Sequence, residues 1–360
     1  MNDLIPTRLY SLLSARRRQE ARAYWSDSLL NRSISTPQDS ITRIRFDRNV
    51  CLEKIQAKSV EPLSASLAVV RKVRASDRQD ILEISSEIWG GHDYVPSVIW
   101  EWLKNPKCHT YGVEVDNHLV AIGNLRLTDR NQTGWMEGLR VHPNYRKRGY
   151  ADMLTQNFLK LGSTLKVRHL RYTTGGNNRI SLRLARRAGF KRMFKMTALC
   201  HENLDKTVKP KKTRGSVIEI TPREAHDLLQ TSICMIPQNV LIYDWKAING
   251  TLQGFREIGK EHTFYSTRKN DKLQALSFGH ARSDYSGNSL WTFTVFALRE
   301  EELAAHFHYH ADVALSKGIN ATVCTCPTQF EGVFKEQKHV PKPAWKLQLV
   351  LLQKQMHPVA

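Results

Sequence analysis

Gly138-Leu-Arg-Val-His-Pro-Asn-Tyr-Arg-Lys-Arg-Gly-Tyr-Ala151 decides how this chain is read. A strand ends at Val141, a loop crosses His142–Tyr145, and Arg146-Lys-Arg-Gly-Tyr-Ala opens a helix. The first amides of a helix have no carbonyl partner in the helix and carry partial positive charge. A phosphate docks there without further machinery. Gly149 removes a side chain where an anion must approach the backbone, and Arg146, Lys147 and Arg148 add charge. The string is a pyrophosphate cradle at a strand–loop–helix junction. Its spacing is neither that of the nucleotide P-loop nor Gly-x-Gly-x-x-Gly.

Working outward, Leu67–Val73 reads as a strand and Ser76-Asp-Arg-Gln79 as a capping box opening a helix. Ser97 to Lys104 is a second helix. A hairpin turns at Asp116-Asn117, and Trp135–Val141 is the strand that feeds the cradle. Gly149 to Leu161 is a striped helix; a strand (Val167–Thr173), a helix (Asn178 to Arg187) and a strand (Phe190–Leu199) follow. The order β-α-α-β-β-β-α-β-α-β predicts a mixed α/β sheet over residues 67–203. Residues 204–215 form a basic linker. Residues 216–356 repeat the coarse element order without a sequence repeat and without a second cradle. Residues 1–66 read as a basic, partly flexible extension, with 11 basic and 7 acidic residues.

With 360 residues, 54 Lys+Arg against 34 Asp+Glu, the chain carries +20. Such a balance suits an anionic partner: nucleic acid, a phosphate-rich cosubstrate or an acidic surface. Apolar runs are too short to span a bilayer. Six cysteines form no disulfide framework, and Cys324-Thr-Cys326 reads as a buried strand pair. His306 and His310 share a helix face, but two ligands make a poor zinc site, so a solvated or packed face is expected and no metal. The compartment expected is cytoplasmic, with organelle import through the extension left open.

The cradle resembles the acetyl-CoA motif of the GNAT N-acetyltransferases, Arg/Gln-x-x-Gly-x-Gly/Ala after a Val-x-Pro strand end. Arg146, Gly149 and Ala151 fill its fixed positions, and Val141 and Pro143 the lead-in. Asn178 through Gly189-Phe190 looks like the family's second motif. Ile88-Trp-Gly-Gly-His-Asp-Tyr-Val-Pro96, Trp102-Leu-Lys-Asn-Pro106, Glu137-Gly-Leu-Arg-Val141 and Leu241-Ile-Tyr-Asp-Trp245 resemble the histidine N-acetyltransferase group.

The resemblance implies acetyl-CoA as cosubstrate, held by Leu139, Val141, Arg146, Lys147, Arg148, Gly149, Tyr150, Ala151 and Asn178. It also implies a base four residues before Val141, at Glu137, with the side-chain parity of Leu139 and Val141. A structural ion pair of Glu137 with Arg140 or another arginine is the competing reading. Trp89, Asp93 and Tyr94 would shape the acceptor pocket. The family's tyrosine acid falls on Ala185, a departure that leaves Tyr145, Tyr150 and Tyr172 as stand-ins. The acceptor expected is a small amine, foremost the α-amino group of histidine. The alternatives are a protein or peptide amine, or a silent basic protein that keeps the fold to bind RNA or protein. Nucleic acid is not the favoured partner.

Overall fold

The computed structural model describes residues 67–207, 217–283, 289–336 and 342–356. The expectations for 1–66 and for most of the linker lie outside the described residues. Everything described from Ala68 onward belongs to one compact unit.

The first half contributes β1 (Val69–Lys72), β2 (Cys108–Val115), β3 (His118–Thr128), β4 (Thr133–Val141), β5 (His169–Gly175) and β6 (Lys191–Glu202). Its helices are α1 (Arg78–Ser85), α2 (Val95–Lys104), α3 (Tyr150–Thr164) and α4 (Arg179–Arg187). The second half contributes β7 (Ile218–Ile220), β8 (Val240–Tyr243), β9 (Lys246–Asn249), β10 (Thr263–Lys269), β11 (Lys272–Ser283), β12 (Ser289–Ala297), β13 (Ala321–Pro327) and β14 (Trp345–Gln355). Its longer helices are α5 (Pro222–Leu229), α6 (Leu252–Ile258) and α7 (Glu300–Ser316).

Twelve strands form one sheet in the order β1-β2-β3-β4-β5-β14-β6-β13-β12-β11-β10-β7, and β8-β9 is a separate hairpin. Exchanging β1–β6 for β7, β10, β11, β12, β13 and β14 leaves this order unchanged when read backwards. The two halves are thus topological copies about a pseudo-two-fold between β14 and β6. Each half lends its last strand to the other: β14 pairs with β5, and β6 pairs with β13. Among the described residues only β4–β5 and β12–β13 are parallel, at corresponding places.

Local chemistry differs in two details from expectation. The turn before α1 is closed by Asp77, whose carboxylate accepts from the Arg74 amide at 2.7 Å and from Arg71, rather than by Ser76. The second helix begins at Val95, two residues earlier, because Pro96 sits in its first turn, where its missing N–H costs nothing. The Asp116–Asn117 turn is as expected, with φ of 52° and 65°.

Two apolar layers cover each half. In the first, α3 packs Leu154 and Phe158 on one sheet face with Leu125 and Leu170; α1 and α2 pack Ile81, Ile99 and Trp102 on the other with Ile122. In the second half α7 takes the α3 role, over Cys324 and Cys326, both buried on one face. His306 and His310 are wholly buried there. No helix among the described residues is long and apolar enough to cross a membrane.

Candidate active site

β4 and β5 part company early. Their ladder holds only Thr133–Trp135 against His169–Arg171, so the remainder of β4, from Met136 to Val141, has no β5 neighbour. Such free backbone is where an extended chain pairs as an added strand. Leu139 and Val141 lie on this free segment, half-buried against the α3 layer.

At its far end, His142 caps a single 3-10 turn, Pro143–Tyr145, its Nδ1 accepting from the Asn144 amide at 3.2 Å. Arg146 then returns to extended backbone and Lys147 turns left-handed at φ 65°. Gly149 is the N-cap of α3 at φ 89°, and a β-carbon there would meet nothing within 4 Å. Open space, a left-handed glycine and unspent helix amides fit the phosphates of a coenzyme A. Arg148 stacks over Tyr145 with its charge 5.1 Å from the ring centre, and Tyr150 packs near Tyr145. Arg146 is half-exposed, 3.9 Å from Glu87. Asn178 caps α4, accepting from the Ser181 amide at 3.0 Å, so its role here is in shaping that helix start.

Strict alternation would give Glu137, Leu139 and Val141 one face. The structure corrects this. Gly138 sits at φ 66° in a register shift opposite Ile122–Asn124. The bulge puts an extra residue on β4 and resets the alternation. Met136, Leu139 and Val141 face α3, while Glu137 and Arg140 turn together to the opposite, α2 face. Glycine is required: a β-carbon would stand 2.5 Å from the buried ring of Trp102.

On that α2 face, Glu137 accepts from Asn124 Nδ2 at 2.8 Å and from Arg126 Nε at 3.0 Å. Arg126 also reaches Glu101 at 3.1 Å, and Thr110 donates to Asn124. The arginine beside Glu137 is therefore Arg126, whereas Arg140 holds Asp93 through two bonds of 3.0 and 2.9 Å. Asp93 is buried, and its fork with Arg140 fixes the loop that leads into α2. Tyr94 lies under Arg140 at 5.4 Å and meets Trp102 edge-on; burial pushes its hydroxyl pKa up. Asp93 and Tyr94 thus join Glu137 and Arg140 on one face. Trp89 lies in the turn Ile88–Gly90, and its side chain is outside those described.

From β5, Thr173 joins the same face, two residues beyond the last β4 pair. Its hydroxyl donates to the carbonyl of Trp245 in the β8–β9 turn. Arg171 binds Asn249 at 2.7 Å and Gln353 at 2.6 Å, fastening that hairpin and β14 to the first half.

Ala185 is buried in the core, so α4 offers no acid there. Tyr172 bonds the Ser181 carbonyl at 3.4 Å, and burial raises its pKa to about 12.

A second polar cluster lies behind the hairpin. His280 Nε2 and His262 Nε2 stand 2.8 and 3.3 Å from Asp244 Oδ2; Thr292 donates to Oδ1 at 3.1 Å and Arg282 lies 3.9 Å from it. Burial alone would raise the Asp244 carboxyl. The hydrogen bonds from His262 and His280, with the Arg282 charge, outweigh it and hold the group well below the usual range. Asp244, His262 and His280 have the donor types of a metal site. Arg282, however, already balances the carboxylate. The adjoining cavity, about 20 Å³, has room for one water and not for an amine.

Sequence reasoning missed Asn124, Arg126, Thr173 and the bulge. A glycine inside a strand pattern was the available signal for the bulge.

Residues 78–190 match the sequence model of the acetyltransferase (GNAT) family. Among curated proteins, "Probable N-acetyltransferase 16" of Homo sapiens is 33% identical over 94 residues, 26% of this chain and 24% of that protein. Histidine N-acetyltransferase of Xenopus tropicalis is 32% identical over 83 residues, 23% of this chain and 26% of that protein. The chain thus spans about a quarter of the length of the curated relatives it matches. The crystal structure of a GCN5-related N-acetyltransferase from Sphaerobacter thermophilus superposes with TM-score 0.54 at 12% identity, covering 80% of this chain and 95% of that one. Such coverage exceeds either half, so the likeness in fold extends to both. Residues 78–190 form a GNAT acetyltransferase domain.

Proposed function

We propose that this protein transfers the acetyl group of acetyl-CoA to the α-amino group of histidine or of a closely similar small amine. The observation that carries the reading is the pairing of an open phosphate turn at Gly149 with strands that part beyond Trp135 and Arg171. Pyrophosphate would sit on the α3 amides, with Arg146, Lys147 and Arg148 supplying charge and Tyr150 and Ala151 the first helical turn. The pantetheine arm would run along the backbone of Leu139 and Val141, with Asn178 shaping the neighbouring wall.

The acceptor would enter from the α2 face. Its amine must attack uncharged; even the α-amino group of a peptide titrates at about 7.7–8.0 and that of a free amino acid is more basic, so a proton acceptor helps. Glu137 is that acceptor, acting through water. The nitrogen adds to the thioester carbon, and a backbone N–H of β4 stabilises the oxyanion. Collapse breaks the carbon–sulfur bond and releases CoA; with Ala185 in place of the family's tyrosine, the thiolate takes its proton from water. The Cys108 thiol lies by Asn124 in the Glu137 cluster, but burial pushes its pKa up and disfavours the thiolate, so the reading is direct transfer without an acyl-enzyme.

Asp93, buried in its fork with Arg140, and Tyr94, whose ring lies under that arginine, would shape the acceptor pocket by holding Arg140 in place. The histidine N-acetyltransferase relatives support the same acceptor. An amino-acid panel assayed for acetyl-CoA-dependent thiol release tests it: histidine should lead. Release with peptide N-termini, and with no free amino acid, would replace it with a peptide acceptor.

A further inference from the structure

Three two-residue hairpins share one geometry, with both central residues left-handed. Asp116–Asn117 has φ of 52° and 65°, and Asn270–Asp271 has 49° and 58°. Asn and Asp tolerate that region, which is why such turns use them. The third, Asp244–Trp245, closes β8 to β9 between the paired Tyr243 and Lys246, with φ of 42° and 67°. Trp245 is the one aromatic residue with positive φ among the described residues. A bulky side chain in this region is strained and persists only where its surroundings over-determine it.

Both sides of the turn are so determined. On one, the buried Asp244 carboxylate is gripped by His262, His280 and Thr292, all from the second half. On the other, the Trp245 carbonyl takes the Thr173 hydroxyl, on the free stretch of β5. Parity puts Thr173 with Arg171, away from Leu170 and Tyr172, which pack towards α3 and α4. Thr173 is therefore on the face of Glu137, Arg140, Asp93 and Tyr94. The strained residue is a half-buried tryptophan whose carbonyl is held beside the opened strands and which also borders the small cavity behind the hairpin.

We propose that Trp245 is a specificity-determining residue, forming the second half's wall of the acceptor pocket and stacking on an aromatic or imidazole ring of the amine. Asp244 is its positioning residue. The inference rests on the acetyl-transfer reading above. It explains why a turn that glycine or asparagine would relax keeps a tryptophan: stacking gives the ring a use that the strain would otherwise oppose. Asp244 touches no substrate, and its carboxylate acts by fixing the turn.

The test compares wild type, Trp245→Ala, Trp245→Phe and Asp244→Asn, with histidine and alanine as acceptors and acetyl-CoA binding measured separately. In Trp245→Ala, KM for histidine should rise at least about tenfold, KM for alanine should change less than about threefold, and acetyl-CoA affinity should stay within about twofold. Trp245→Phe should restore most of the histidine KM. Asp244→Asn should raise the histidine KM in the same selective way. An equal loss for both amines, or an unchanged histidine KM in Trp245→Ala, overturns the proposal. Should Asp244→Asn fail to fold, the two Trp245 variants still decide it. The wild-type control separates the two readings: a wild type that turns over another amine in preference to histidine overturns the acceptor assignment, and the variants are then read with that amine against alanine. No release with any amine overturns both.

Discussion

The two helices that follow β4 and β12 occupy corresponding places and carry opposite chemistry. α3 opens through Arg146-Lys-Arg148 and a bare glycine cap, with open space above it. α7 opens directly after Arg299 with Glu300, Glu301 and Glu302, and Arg299 is turned onto Glu302. The first helix end invites an anion. The second is already neutralised by its own carboxylates, which favour the positive end of the helix dipole. The strands differ likewise. β3–β4 is interrupted by the Gly138 bulge, whereas β11–β12 runs in unbroken register from Ala275–Ala297 to Ser283–Ser289. Duplication of a fold thus does not duplicate its site. A short loop, one glycine and one bulge separate the half with an open helix start from the half whose helix start is filled by carboxylates.

The largest effect should come from erasing the first of these differences. Gly149→Glu gives α3 the acidic start that α7 has, and acetyl-CoA binding should fall at least about a hundredfold by calorimetry. The matching change in the second half, Glu301→Gly, should leave that affinity within about twofold. Undiminished binding in Gly149→Glu would end the cofactor assignment.

Glu137→Gln tests whether the charged face beside the bulge is chemical or structural. As base removal, it should cost about 10²–10⁴ in kcat/KM for the amine, with acetyl-CoA affinity unchanged. The deficit should shrink as pH rises and the amine deprotonates unaided. Were Glu137 only the partner of Arg126, the variant would lower thermal stability and its rate loss would be flat with pH.

Gly138→Ala attacks the bulge itself. The left-handed backbone and the contact with Trp102 together should cost about 2–4 kcal/mol in urea unfolding. The same methyl added at Gly318, also left-handed at φ 70° but with nothing within 4 Å, should cost only the backbone part, about 1 kcal/mol. Equal losses at the two sites would remove the Trp102 argument.

The smallest effect belongs to the second half's core. Trp291, a donor only, gives its proton to His310 Nδ1 at 3.0 Å. His310 Nε2 therefore donates to Ser277, Ser277 to His306 Nδ1 at 2.6 Å, and His306 Nε2 to Thr267. Both rings are neutral. Burial lowers His306 to about 3 and His310 well below its usual value. The unfolded chain takes up these protons near pH 6.5 and the folded chain does not. Stability is whole above pH 6.5 and is lost as pH falls towards 3. At pH 5 the cost from His306 should be about 2 kcal/mol. A melting temperature equal at pH 7 and pH 5 would contradict the neutral chain.

Much of this molecule was legible beforehand. The strand–loop–helix junction at Gly149, the β2–β3 hairpin and the element order of the first half follow from local signals of spacing and turn chemistry. The face of Glu137 was not, because alternation assumes an unbroken ladder and Gly138 breaks it. Nor was the hydrogen bond from Thr173 to Trp245, which joins residues 72 apart in the chain. The exchange of β6 and β14 was equally hidden: each strand is apolar enough for either half, and nothing local says which neighbour it takes. The histidines of α7 could be read as packed or solvated, and the polar chain through Ser277 decides for packed.

Strand exchange also dictates an order of events during synthesis. β5 finds its antiparallel neighbour only when Trp345–Gln355 leaves the ribosome, with pairs such as His169 and Gln355 separated by about half of the sequence. Pairings this remote slow folding, because a long loop must close before they form. The sheet beside the candidate active site is therefore finished last, although its cradle is translated early. A chain cut short before β14 leaves the edge of β5 bare. Such an edge is a target for aggregation and clearance rather than a working fragment, so the arrangement couples the making of the site to the synthesis of β14.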